Sequence, residues 1–560
     1  MSHKRRPSPI PALVCALLLL FAAGFFGSIW LDRWSGDDEQ RAELSAIEDL
    51  HGRLETTAED ELLAETARLG RAVSEEWRER LQRRLEHPRG RVKEAVAIFA
   101  DDEAYRRFLA RARAAGFVVL DESAALRAVR VRYDTIAAVQ EDIFAHVRDY
   151  EEIGANTYVD RPKRPDSAWI EAGALAPVGD ALLDVLGVST DRSTWGRGVT
   201  IAVLDSGVIQ DATFGAGRLR SLDIGRGIAP GNGDDEGHGT AVASIAAGAS
   251  PDAPGVAPAA SILSIRVTGE DGHSDVFTVS KAIVAAVDQG ARVINISLGS
   301  YDTSVLLTRA IDYAEAAGAV IVAASGNDQV ARLVWPAADP RVVSVGATDA
   351  SGRLARFSNS GEGLKLAAPG VAVQAAWLDG QRVLFTGTSA SAPVVAGALA
   401  AAMSQRPGES ARDVLAHLQA RADDAGSPGV DTEYGAGVLN LGWAMNTNPS
   451  RVDLAVASHW WPREGEEPAQ TVRIVVQNRG AFAVAGATLE TNAEGVAGRH
   501  VLPTLAAGES AVIEVPADAQ RARREEGWGL RSRIVLPGGL TDHDARNNER
   551  RSVWFFPAEK

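Results

Sequence analysis

Residues 199–207 read Val199-Thr200-Ile201-Ala202-Val203-Leu204-Asp205-Ser206-Gly207. An apolar, β-branched run ends on an acid, and Gly207 closes it. A short continuous apolar run bounded by turn residues suits a strand buried on both faces. Runs of the same kind recur at Ser261–Val267, Val293–Ile296, Val320–Ala324 and Val342–Val345, with Ala-rich helical stretches between them. Such strands alternating with helices predict an α/β domain with a mainly parallel sheet over residues 180–445.

Asp205 then stands at a strand end, where open α/β sheets gather functional groups. Two further segments fall at the starts of Ala-rich helices: Gly237-His238-Gly239-Thr240 and Gly387-Thr388-Ser389-Ala390-Ser391-Ala392-Pro393. A serine hydroxyl needs a base to become a nucleophile, and a histidine needs an acid to hold its tautomer. Taken singly, the three have ordinary readings as a cap, a loop residue and a helix start. Their order along the chain is more specific. It runs Asp, His, Ser, with separations of 33 and 151 residues. The G-x-S-x-G motif and Ser-acid-His order of α/β-hydrolases are not present here.

On these residues the region 180–445 resembles the subtilases, the subtilisin-like serine peptidases. The likeness extends to Gly255-Val256-Ala257-Pro258, Val293-Ile294-Asn295-Ile296-Ser297-Leu298-Gly299, Ala323-Ala324-Ser325-Gly326-Asn327 and Ala367-Ala368-Pro369-Gly370. The resemblance implies a triad of Asp205, His238 and Ser389. It also implies an oxyanion hole made by the Asn327 side-chain amide and the Ser389 main-chain N–H. Ser297, Leu298 and Gly299 would pair with a substrate backbone by strand addition. Ala324, Ser325, Gly326 and Val334 would bind substrate beside them. Protein or peptide substrates follow, and no cofactor is required.

Departures from the family pattern are specific. Ala241 stands where many subtilases carry a second histidine. The segment from His238 to Gly255 is short and without asparagine, so the calcium loop of bacterial subtilisins is not expected. Asp234, Asp235 and Glu236 read as a solvated acidic loop rather than a calcium site. Val334 replaces a glycine found before the aromatic residue in many subtilisins. It is expected to narrow the primary pocket toward small or medium side chains.

The flanks are organised differently. Residues 1–9 carry His3, Lys4, Arg5 and Arg6, and 10–31 are apolar. Twenty-two such residues suffice for a transmembrane helix, with the basic tail on the cytoplasmic side. The alternative is a signal peptide cut before Phe25. Either version places the catalytic part outside the cytoplasm, on a bacterial-type inner membrane or secreted. Residues 37–87 read as a helical stalk, with Val73, Trp77, Leu81 and Leu85 on one face. Residues 91–150 have a strand–helix–strand–strand–helix pattern similar to the ferredoxin-like propeptide of subtilases. That likeness implies a zymogen that cuts itself within 145–175, a span containing the polar linker 151–175. Residues 451–560 alternate as short strands and resemble the Ig-like β-sandwich modules of exported enzymes. There Asp542, Asp544, Asn547 and Asn548 read as a polar turn.

Composition sets outer bounds. The chain has 560 residues and a net charge of −16, which argues against nucleic acid as a partner. Its one cysteine, Cys15, excludes an intrachain disulfide. Two other functions remain in view at this stage: a catalytically idle scaffold on a protease fold, and an exported adhesion protein acting through 451–560.

Overall fold

The computed structural model describes residues 75–165, 175–224, 237–269, 273–446, 451–464, 467–524 and 527–556. The apolar segment 10–31, the stalk up to residue 74 and the acidic loop at Asp234–Glu236 lie outside them. Among the described residues no helix is long and apolar enough to cross a membrane.

The central sheet follows from the apolar runs. Its strands are β5 (Thr200–Asp205), β6 (Leu219–Asp223), β7 (Ser261–Arg266), β9 (Val293–Ile296), β10 (Val320–Ala324), β11 (Val343–Thr348) and β12 (Leu366–Pro369). They are ordered β12-β11-β10-β9-β5-β7-β6 and every pairing is parallel. Both faces are covered. Ile201 and Val203 join one core with helices α3 (His238–Ala247) and α6 (Thr388–Gln405). Ala202 and Leu204 join another with α4 (Val276–Asp288) and α5 (Val305–Ala316). Side chains alternate along a strand. Asp205 therefore faces the same side as Ile201 and Val203, toward α3 and α6. Helices α3 and α6 cross closely because Gly397 carries no side chain: a Cβ there would come 2.6 Å from the Ala246 carbonyl oxygen.

Residues 90–160 form β1 (Gly90–Phe99), α1 (Asp102–Arg111), β2 (Phe117–Ser123), β3 (Ala128–Tyr133), α2 (Ile136–Ala145) and β4 (Tyr150–Asp160). The order β4-β1-β3-β2, antiparallel throughout, is that of a ferredoxin-like unit. Asp101 and Thr135 cap its two helices through their side chains. Two boundaries expected from the sequence shift. Leu81 and Leu85, on a helix over 75–85, are buried in this unit's core, so the end of the stalk is part of it. The segment 151–160 is a strand rather than linker. Its polar residues are paired: Glu152 with Arg84, and the fully buried Asn156 with Glu94 and the Phe277 N–H.

Strand β4 joins the unit to the parallel-sheet domain by pairing with β8 (His273–Asp275), immediately before α4. Val96, Ile98, Leu126, Ala128 and Val159 pack into the same core as α4 and α5. Charge pairs Lys281–Asp121 and Arg309–Glu151 flank that seam, and Arg91 and Arg130 meet the buried Asp275.

The C-terminal residues build two antiparallel sheets. One is β13-β14-β17, from Leu454–Trp460, Thr471–Asn478 and Ser510–Pro516. The other is β16-β15-β18-β19, from Val496–Val501, Thr488–Ala493, Trp528–Val535 and Glu549–Trp554. Both share one core around Trp461, Trp528 and Trp554. The module is seated on the catalytic domain by half-buried arginines. Arg550 donates to the carbonyls of Ala457 and Ser351, Arg353 to that of Val553, and Arg479 pairs with Asp423.

Candidate active site

Three chain segments converge at the C-terminal end of β5. Asp205 ends the strand and is fully buried. Its Oδ1 accepts from Nδ1 of His238 at 2.8 Å and from the Ser206 N–H at 2.7 Å. Its Oδ2 is buried without a hydrogen-bond partner among the described residues. His238 is the first residue of α3, and Gly239 explains how that helix reaches the strand end. A Cβ at Gly239 would come 2.2 Å from the Gly207 carbonyl oxygen and 3.2 Å from Asp205 Cβ. The Ser206 hydroxyl accepts from the Gly239 N–H at 3.1 Å and fixes this junction. Phe385 packs edge-on against the His238 ring, 5.1 Å between centroids.

Ser389 lies in the first turn of α6, 3% exposed. Gly387, with φ of 142°, makes the turn into the helix, a conformation that only glycine adopts readily. First-turn amides of a helix have no partner within it, and the dipole there favours negative charge. Pro393 lacks the N–H that would bond the Ser389 carbonyl within α6. The Ser297 hydroxyl approaches that carbonyl instead, at 3.4 Å. No hydrogen bond joins the Ser389 hydroxyl to His238 among the described residues.

Asn327 follows β10 and is held by Thr388, whose N–H and hydroxyl donate to Asn327 Oδ1 at 2.9 and 2.8 Å. Its Nδ2 is thereby turned outward, where it donates to the Lys163 carbonyl at 2.9 Å. Ser325 is fully buried, its N–H bonded to Val345 and its hydroxyl to the Asn359 carbonyl. Ala324 is buried at the end of β10. Leu298 is buried, and Gly299 exchanges main-chain hydrogen bonds with Asp160. The exposed edge expected for a substrate therefore carries the chain's own residue 160. Val334 fills the space between two glycines: a Cβ at Gly299 would come 2.3 Å from Val334 Cγ2, and one at Gly326 3.3 Å from Cγ1.

Sequence reasoning missed Thr388, Asp328 and Tyr301. Thr388 stood in the quoted motif without a role. The Tyr301 hydroxyl donates to Asp328 Oδ2 at 2.7 Å. Burial first, and then the Asp328 carboxylate, push its pKa up to about 12. Among the described residues no cluster of His, Cys, Asp or Glu is arranged to hold a metal ion.

This site at the end of a parallel sheet puts the protein among the serine peptidases of α/β type. Residues 196–437 match the model of the subtilase family, Peptidase_S8. Subtilisin BL of Lederbergia lenta is 35% identical over 252 residues, which is 45% of this chain and 91% of that protein. Alkaline elastase YaB of a Bacillus strain is 34% identical over 258 residues, 45% of this chain and 66% of the relative. Fervidolysin of Fervidobacterium pennivorans, a keratinolytic enzyme, shares the fold. Its TM-score is 0.54 at 18% identity, over 83% of this chain and 92% of that one. The chain belongs to the subtilase family and is a subtilisin-like serine peptidase.

Proposed function

We propose that the protein is a serine endopeptidase in which Asp205, His238 and Ser389 are the catalytic triad. Ser389 Oγ attacks the substrate carbonyl and His238 takes its proton, then returns it to the leaving amine. Asp205 holds the imidazole with Nδ1 protonated and stabilises the imidazolium. Asn327 Nδ2 and the Ser389 N–H donate to the oxyanion, where removal of one donor typically costs about 10²–10³ in turnover. The observation that carries the reading is the 2.8 Å hydrogen bond between His238 and a fully buried Asp205. A buried carboxylate with one unpartnered oxygen gains most when the ring beside it becomes a cation.

Residues 75–160 act as a propeptide that assists folding and inhibits the enzyme until cut. Residues 451–560 form an Ig-like accessory module, and 10–31 direct export as an anchor or a cleaved signal. No cofactor takes part. The test is labelling with a fluorophosphonate probe alongside casein hydrolysis. Both are expected in the wild type and absent in Ser389→Ala. Equal labelling of the two would overturn the assignment.

A further inference from the structure

The chain's own residues 160–163 occupy the site. Asp160 N–H donates to the Gly299 carbonyl at 3.0 Å, and Gly299 N–H to the Asp160 carbonyl at 2.7 Å. Pro162 has no N–H to continue this ladder onto Ser297, and the strand stops at Asp160. Three residues on, the Lys163 carbonyl oxygen meets Asn327 Nδ2 at 2.9 Å. A carbonyl in contact with an oxyanion donor belongs to the residue whose acyl group is transferred. The Lys163 side chain runs over the surface, 87% exposed, with Nζ 3.9 Å from Asp328 Oδ1. It lies outside the space that Val334 fills. Asp328 is held in place, its Oδ2 bonded by Tyr301 and its N–H donated to Asn359 Oδ1 at 2.9 Å.

We propose that the enzyme cuts its own chain between Lys163 and Arg164, and that Asp328 selects a basic side chain at the cut position. This rests on the triad reading above and adds the bond and the specificity. Ser389 Oγ bonds to the Lys163 carbonyl carbon and its proton passes through His238 to the Arg164 nitrogen as the peptide bond breaks. Water then hydrolyses the Lys163–Ser389 ester. The products are a Lys163 carboxylate, a new Arg164 amino terminus and the restored serine. The propeptide keeps its β4–β8 pairing, so it leaves only when the seam with α4 and α5 opens. An exposed ion pair is weak, so Asp328 is expected to favour Lys over Ala at the cut position by only about two- to five-fold.

The full chain and its Ser389→Ala variant are purified, and intact mass and the amino terminus of each are measured. The expected result is a wild-type fragment beginning at Arg164 and an uncut variant, with a first-order rate unaffected by dilution. A new terminus elsewhere overturns the bond assignment and leaves self-cutting in place. An uncut wild type, or equal cutting in both, overturns the reading beneath it. For Asp328, Lys163→Glu is expected to slow the cut by roughly ten-fold, from lost attraction plus new repulsion. Adding Asp328→Lys to it is expected to recover most of the rate, which a merely structural role would not do. Cutting of Lys163→Glu at the wild-type rate, or no recovery in a folded double variant, removes Asp328 from recognition.

Discussion

Thr388 holds Asn327 by two donors to one oxygen, a main-chain N–H at 2.9 Å and a hydroxyl at 2.8 Å. The geometry turns the amide so that Nδ2 faces outward, toward the Lys163 carbonyl. Thr388→Val keeps the main-chain bond, removes the hydroxyl and leaves Asn327 freer to rotate. A lost hydrogen bond of this kind is worth about 0.5–1.5 kcal/mol. The expected outcome is a fall in kcat of about 2- to 10-fold with little change in KM, and recovery in Thr388→Ser. Asn327→Ala is expected to lose roughly 10²–10³ in kcat. Steady-state kinetics on a peptide amide checks both.

Asp205→Asn keeps the shape of the site and changes its protonation. An amide can donate its N–H to His238 Nδ1, which stabilises the wrong tautomer and leaves the base without a charge partner. Loss of the acid in such a triad costs about 10⁴ in kcat. The expected result is a stable, folded protein with that loss. A variant retaining more than a tenth of the activity would show that the Asp205–His238 bond is not used in turnover.

Arg309 connects α5 to the seam with the ferredoxin-like unit. It donates to the Leu126 carbonyl at 3.0 Å and pairs with Glu151. Burial, acting first, pulls its pKa down, and Glu151 opposes that pull. Removing one partner of a half-buried pair leaves the other desolvated and unpaired. Arg309→Ala is therefore expected to loosen the seam and shorten the lag between chain cutting and full peptidase activity. The check is a time course that follows both on one sample. An unchanged lag would mean that the apolar contacts of Val96, Ile98 and Leu126 carry the interface alone.

Much of the catalytic domain was legible because its signals are local. The run into Asp205 is apolar on alternate positions for two cores, so strand, orientation and functional face follow from one stretch. Gly387 and Gly239 mark tight approaches that any side chain would block. The rest depends on partners distant in the chain. Strand β4 is rich in polar residues and reads as linker until Arg84, Glu94 and the α4 amide supply its hydrogen bonds. Strand β16 carries little apolar signal of its own, with Val496 and Val501 exposed, and is a strand through its pairing with β15. Thr388 acts through a residue 61 positions earlier. Asp328 gains meaning only when Lys163 lies across it. Arg550 reads as a surface charge, yet it is half-buried where the C-terminal module meets Ser351.

The C-terminal module carries its own dependence on pH. His459 is 4% exposed, with Nε2 2.6 Å from the Ser532 hydroxyl and Nδ1 3.0 Å from that of Ser552. Burial, and secondarily the Arg550 cation, hold its pKa well below the ordinary histidine value of 6.5. The folded chain therefore refuses a proton that the unfolded chain accepts. Its contribution to stability is complete above pH 6.5. It falls as pH drops below that value, at up to about 1.4 kcal/mol per pH unit, until the folded pKa is reached. Asp424 and Asp453 have raised pKa values from burial and act with the opposite sign, but they are present in any His459 variant. His459→Gln keeps polar atoms beside both serines and removes the titration. Denaturant midpoints of the Ser389→Ala background, compared with and without His459→Gln from pH 8 to pH 5, isolate the effect. The gap between the two curves is expected to shift in favour of the glutamine variant below pH 6.5, and parallel curves would show that His459 is protonated in the folded module.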